Sequence, residues 1–201
     1  MTAPASAVRR TIASTAYVAA WPALMFLLAG DVRWVEGWIF AVWLVGLYLT
    51  VTLWMHFRDP ALLAERRRRH TSAAERPDRL LLSLMFTGFA AWMILMPLDA
   101  RRYHWSDPFP LSAKEVGGAL LALAAFLLFR AVHDNTFLGG VVRIQSERKH
   151  QVVSTGVYAV VRHPMYLGMV LMLAGAPLLL GSVHALGMAT AVTVEIGRAQ
   201  V

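Results

Sequence analysis

Residues 38–57 read WIFAVWLVGLYLTVTLWMHF, twenty consecutive positions without an acid, a lysine or an arginine. At ~1.5 Å per residue a helix of that length matches the ~30 Å hydrocarbon core of a bilayer, where only a helix or a closed barrel satisfies its own backbone. The stretch from Trp38 to Phe57 therefore predicts a membrane span. Three further runs have the same character: Thr11 to Ala29, Leu80 to Leu98 and Val116 to Val132. A fifth, Met165 to Leu180, is broken by Pro177 and closed by Gly181 and Ser182, and a short sixth piece, His184 to Val194, follows it. That last piece is too short to cross alone, so it is expected to fold back as the second arm of a helical hairpin. The expected fold class is all-α: a polytopic integral membrane helical bundle of five to six membrane segments, with residues 1–201 forming one domain.

Composition restricts the class independently. Hydrophobic residues make up 58 % of the chain against 15 % charged, with a mean hydropathy of +0.54, more than a soluble core of this size needs. The absence of cysteine removes a disulfide framework, a thiolate nucleophile and any Cys-ligated metal. The seven histidines show no i, i+4 spacing with a neighbouring acid, so no metal site is expected. A net charge of +7, carried almost wholly by arginine, lies between the apolar runs, where it suits anionic lipid headgroups. No nucleic-acid-binding module surrounds it, and no nucleic acid is expected as a partner.

The arginines also suggest an orientation. Arg9 and Arg10 precede the first run, the 58–79 loop carries Arg66 to Arg69 and Arg76, and the 133–162 segment holds Arg143, Arg148, Lys149 and Arg162. The loop around Asp31, Arg33 and Glu36 is poorer in positive charge, so the positive-inside rule puts the N-terminus, the Arg58 to Arg79 loop and the 133–162 segment in the cytoplasm. Arg101 and Arg102 in the 99–114 loop weaken the contrast. The Arg66 to Arg69 cluster reads first as a solvated juxtamembrane anchor, and Trp34, Trp38, Trp54, Tyr103 and Trp105 as an interfacial aromatic belt.

One stretch does not fit a purely lipid-embedded role. From His150 to Gly168 the chain reads HQVVSTGVYAVVRHPMYLG, with polar, aromatic and turn-forming residues close together. Pro164 lacks an N–H and disfavours helix at His163, so a helix should begin at Pro164, while Gly156 permits a tight turn before it. Free backbone N–H groups and the positive end of that helix then face a spot flanked by Tyr158, Arg162, His163 and Tyr166, which suits an anion. His133-Asp134-Asn135 reads either as a ligand contact or as a polar helix terminus.

These residues resemble the isoprenylcysteine carboxyl methyltransferase and phospholipid methyltransferase superfamily of integral membrane enzymes. Its motif runs roughly Gly-x-Tyr-x-x-x-Arg-His-Pro-x-Tyr-x-Gly, and here it is complete from Gly156 to Gly168. The likeness extends to His150 and to Val141 to Gln145, and more loosely to Asp99 to Arg102 and Arg33 to Trp38, which look like bacterial members. The resemblance implies S-adenosylmethionine as cofactor, bound by His150, Val153, Gly156, Tyr158, Arg162, His163, Pro164, Tyr166 and Gly168. It also implies a lipophilic acceptor, membrane lipids as partners, and a bacterial inner-membrane location with the cofactor site on the cytoplasmic side. No catalytic residue is singled out.

The pattern fails after Ser182. Family members typically continue with paired glutamates and spaced tyrosines that close over the cofactor, whereas here only Glu195 follows and no tyrosine does. Two other readings stay open. Membrane sterol reductases share an Arg-His-Pro-Asn-Tyr motif for NADPH, although position 165 is Met here. A non-catalytic, structural membrane protein of the same fold is the third.

Overall fold

The computed structural model describes residues 5–67, 76–138 and 153–198. Among them the regular structure is entirely helical: α1 Ala5–Ala29, α2 Val35–Arg58, α3 Pro60–Arg67, α4 Arg76–Pro97, α5 Leu111–Asp134, α6 Pro164–Leu180 and α7 Val183–Arg198. A π-helical turn, Leu98–Tyr103, extends α4, and a 3-10 turn, Gly156–Ala159, precedes α6. Helices α2 and α5, 24 residues each, are long and apolar enough to cross a membrane. The run Thr11 to Ala29 lies within α1, and Leu80 to Leu98 covers most of α4 and the first residue of the π-helical turn.

Helix ends are set by local chemistry. Gly30 stops α1 at φ +69°, and its N–H donates to the Phe26 carbonyl at 3.0 Å, the left-handed glycine stop. Gly181 does the same for α6 at φ +87°. The Gly181 and Ser182 N–H groups both donate to the Pro177 carbonyl at 2.8 Å. Ser182 then caps α7 by accepting the Ala185 N–H at 3.1 Å. The expected break at Pro177 does not occur. Helix α6 runs through it without interruption, because a proline in the last turn forfeits one ladder bond and leaves only three residues beyond it. The sixth piece is likewise longer than expected, 16 residues from Val183 to Arg198. It forms the expected hairpin with α6 and also packs on α4.

The tightest pairing is α5 with α6, which cross antiparallel. Small residues allow it. A side chain at Gly117 would collide with the Leu179 backbone, one at Gly175 would come within 3.0 Å of the Gly117 carbonyl, and one at Gly168 would lie 2.8 Å from Leu128. In lipid there is no hydrophobic drive between helices, so close backbone approach at small residues is how they associate. The interior is filled by Met25, Phe40, Trp92, Met96, Leu121, Ala176, Leu180 and Ala185, drawn from six helices. Meanwhile Leu27, Val42, Phe86, Leu123 and Phe126 point outward, an apolar exterior that matches lipid rather than water.

The loop 58–79 holds an element that the sequence reading left out. Asp59 accepts the Leu62 N–H at 2.9 Å and starts α3, whose Leu62 and Leu63 are buried against Met55, Val132 and Leu138. Asp59 also accepts from the Thr136 hydroxyl. Arg66 is therefore not the solvated anchor expected of it. It is half-buried, it donates to the Leu138 carbonyl at 3.1 Å, and burial pulls its guanidinium below the ordinary arginine value.

Candidate functional site

The motif enters the described structure at Val153, which is half-buried; His150 lies outside the described residues. The chain reaches Gly156 in left-handed geometry, φ +60°, and turns through one 3-10 turn. That turn is held by the end of α5. Asp134, with 7 % of its side chain exposed, accepts the Val157 N–H on Oδ2 at 2.8 Å, and a side chain at Gly156 would collide with the same carboxylate. Arg130, one helical turn earlier, places Nη2 3.0 Å from Oδ2, and His133 Nδ1 lies 2.8 Å from Oδ1. Tyr158 reaches back to the same helix end, donating its hydroxyl to the Ala131 carbonyl at 3.2 Å. Burial raises the Tyr158 phenol above its ordinary value. The His133 ring rests against Trp54, with centroids 4.9 Å apart, and Phe129, 5.7 Å away.

Beyond the turn the chain is non-helical at His163, φ −129° and ψ 65°, in keeping with the bar that proline sets on helix at the residue before it, and α6 starts with Pro164. No side chain caps this helix. Its first ladder bond from the motif is Leu167 N–H to the His163 carbonyl at 3.0 Å, so the Met165 and Tyr166 N–H groups have no helical acceptor. Arg162 and His163 are exposed, and Tyr166 is 45 % exposed with its ring edge-on to His163 at 5.8 Å. Arg162 makes no ion pair among the described residues. Among the described residues, a guanidinium without an ion pair, two N–H groups without a helical acceptor and two accessible rings thus lie within five residues.

The seven site residues from Gly156 to Gly168 therefore divide. Tyr158 and Gly156 sit on the Asp134-held turn, and Arg162, His163 and Tyr166 at the uncapped start of α6. Pro164 and Gly168 face inward; the space beside Gly168 is taken by Leu128, so its smallness serves the crossing with α5. Asp134 is the residue that motif reading passed over. Its signal was present in the polar triplet ending an apolar run, but the sequence did not say which backbone it would meet.

The opposite end of the bundle carries a different polar group. Asp99, fully buried, accepts from Ser106 Oγ at 2.8 Å and Ser182 Oγ at 2.5 Å, and His184 presents Nδ1 at 3.2 Å. Burial pushes the Asp99 carboxyl up, but the donors from Ser182, Ser106 and His184 outweigh it and leave the group below its ordinary value of 3.8. Arg101 pairs with Asp31 there, and Lys114 with Glu36 at 2.6 Å. Among the described residues no cluster of His, Asp and Glu has the make-up of a metal site.

No curated protein and no solved structure matches the chain. The family model of the phospholipid methyltransferases matches residues 113–197, the stretch that contains α5, the Asp134-held turn, the Arg162 segment, α6 and nearly all of α7. Over that stretch, somewhat less than half of the chain, the sequence is similar to the phospholipid methyltransferase family.

Proposed function

We propose that the protein is an S-adenosylmethionine-dependent methyltransferase whose acceptor is a lipophilic molecule reached from the bilayer. The observation that carries this reading is the family match over residues 113–197, which spans a segment where, among the described residues, Arg162 has no ion pair and the start of α6 has no side-chain cap. The residues present fit such a cofactor. Its carboxylate calls for a guanidinium or open N–H groups, and its sulfonium and adenine for aromatic faces. Arg162 and the Met165 and Tyr166 N–H groups would take the first role, and Tyr166, His163 and Tyr158 the second. Bound, the cofactor supplies an activated methyl group for in-line displacement.

The protein's part in that reaction is positioning and exclusion of water, which need no covalent intermediate on the chain. The apolar exterior of the bundle gives an amphiphilic acceptor a route from the membrane, and the arginine distribution supports a cytoplasmic site. Under this reading the acceptor is a carboxylate, an amine or another group on a membrane-embedded molecule.

Isothermal titration of the detergent-solubilised protein with S-adenosylhomocysteine and with NADPH tests it. The expected result is binding of S-adenosylhomocysteine alone. Arg162→Ala should weaken it by about 1.5–3 kcal/mol, the scale of a hydrogen bond to a charged group. Arg101→Ala, at the far end in its pair with Asp31, should leave it unchanged. Equal losses in the two variants would mean that general surface charge was being measured. NADPH binding would favour the reductase reading, and binding of neither ligand the structural one.

A further inference from the structure

Asp134 lies in no part of the Gly156 to Gly168 motif, yet three independent contacts converge on it. Its Oδ2 takes the Val157 N–H at 2.8 Å and meets Arg130 at 3.0 Å, its Oδ1 faces His133 Nδ1 at 2.8 Å, and the only space for a Gly156 side chain is occupied by the carboxylate itself. A carboxylate at a helix C-terminus sits against the negative end of the helix dipole, an unfavourable place unless cations and N–H donors compensate. Arg130, His133 and Val157 supply that compensation. The side chain is almost completely buried, so losing the Val157 partner would leave an acceptor unsatisfied.

We propose that Asp134 is the positioning residue of the cofactor site: its carboxylate fixes the backbone path through Gly156 and Val157, and so sets where Tyr158 and the Arg162 segment stand. This rests on the methyltransferase reading above. It also assigns Gly156 a reason distinct from cofactor approach, since the glycine is required by the carboxylate behind it. His133, held by the other oxygen and by the rings of Trp54 and Phe129, makes the same anchor rigid on its far side.

Two substitutions separate positioning from stability. Asp134→Asn keeps an oxygen that accepts the Val157 N–H but discards the charge that Arg130 and His133 meet. Asp134→Ala discards both. Both variants should therefore unfold at lower temperature than the parent, whereas S-adenosylhomocysteine affinity, measured by titration in detergent, should fall about tenfold in Asp134→Ala and stay within about threefold in Asp134→Asn. Gly156→Ala should also lose affinity, and combining it with Asp134→Ala should cost less than the product of the single losses, because the collision partner is gone.

Tryptic cleavage after the exposed Arg162, mapped by mass spectrometry, reads the turn without any ligand. It should be faster in Asp134→Ala than in Asp134→Asn. Equal affinity losses in the two variants, parental affinity in Asp134→Ala, or unchanged cleavage after Arg162 would each overturn the assignment. If the parent protein binds no S-adenosylhomocysteine, the methyltransferase reading fails and the cofactor role of Asp134 fails with it. Failure of the inference alone looks different: the parent binds, Arg162→Ala weakens binding, and Asp134→Ala does not.

Discussion

Tyr158 and Gly168 show how two motif residues of similar standing in the sequence do different physical work. The Tyr158 hydroxyl donates to the Ala131 carbonyl, a backbone acceptor near the end of α5, so Tyr158→Phe should cost about 0.5–1.5 kcal/mol, the net value of one such bond. Thermal unfolding in detergent measures it, and an unchanged midpoint would show that water replaces the phenol. Gly168 faces Leu128, and a methyl there meets the leucine at 2.8 Å. Gly168→Ala should destabilise by roughly 1–3 kcal/mol through overpacking, less than Gly117→Ala, whose methyl meets the Leu179 backbone instead of a side chain that can rotate away. The reverse order of the two midpoints would contradict the described crossing.

At the scale of elements, α7 is docked by a polar group on an otherwise apolar bundle. Asp99 ties the end of α4 to Ser106 and to the Ser182-His184 start of α7. Its carboxyl sits below its ordinary value in the folded protein, so the group binds fewer protons folded than unfolded just below pH 4. The stability it contributes is thus present above the unfolded value and is lost as pH falls through the folded one. Midpoints of unfolding should drop as pH is lowered beneath about 4, and Asp99→Asn should flatten that part of the profile. A profile of the same steepness in the variant would assign the acid sensitivity elsewhere.

The same elements show what was legible in the sequence. Hydrophobic length gave the positions of the long helices, of which α2 and α5 are long and apolar enough to cross a membrane, and Pro164 gave the start of α6 to the residue, because both depend on local chemistry alone. Pro177 misled, since a proline's effect depends on how many ladder bonds lie beyond it. Helix α3 was hidden because four arginines outweighed Leu62 and Leu63, whose burial exists only once α2 and α5 are beside them. The Gly117, Gly168 and Gly175 contacts and the Asp134 clasp were unreadable for the same reason: each is a meeting of residues tens of positions apart.

For the whole molecule, charge differs between the two ends of the bundle. At the end where α1 stops and α5 starts, Arg101 is met by Asp31 and Lys114 by Glu36, so cations there are offset by acids. At the other end, among the described residues, Arg162 has no ion pair and Arg66 donates to the Leu138 carbonyl. The sequence places Arg66 to Arg69, Arg76, Arg143, Arg148, Lys149 and Arg162 in the 58–79 and 133–162 segments, and the positive-inside rule predicts the motif end to be cytoplasmic. A reporter inserted at Gln151 should behave as cytoplasmic and one near Asp31 as external. Phe126, outward-facing near the middle of α5, offers an independent check of the lipid contact itself. Phe126→Asp should impair membrane insertion by about 3 kcal/mol, the cost of a central acid on a lipid-facing helix, whereas Asp at the already polar Thr136 position should not. Unimpaired insertion of Phe126→Asp would mean that this face of α5 is covered by protein. An external Gln151 reporter would put the motif on the side without cytosolic cofactor and remove the proposed reaction altogether.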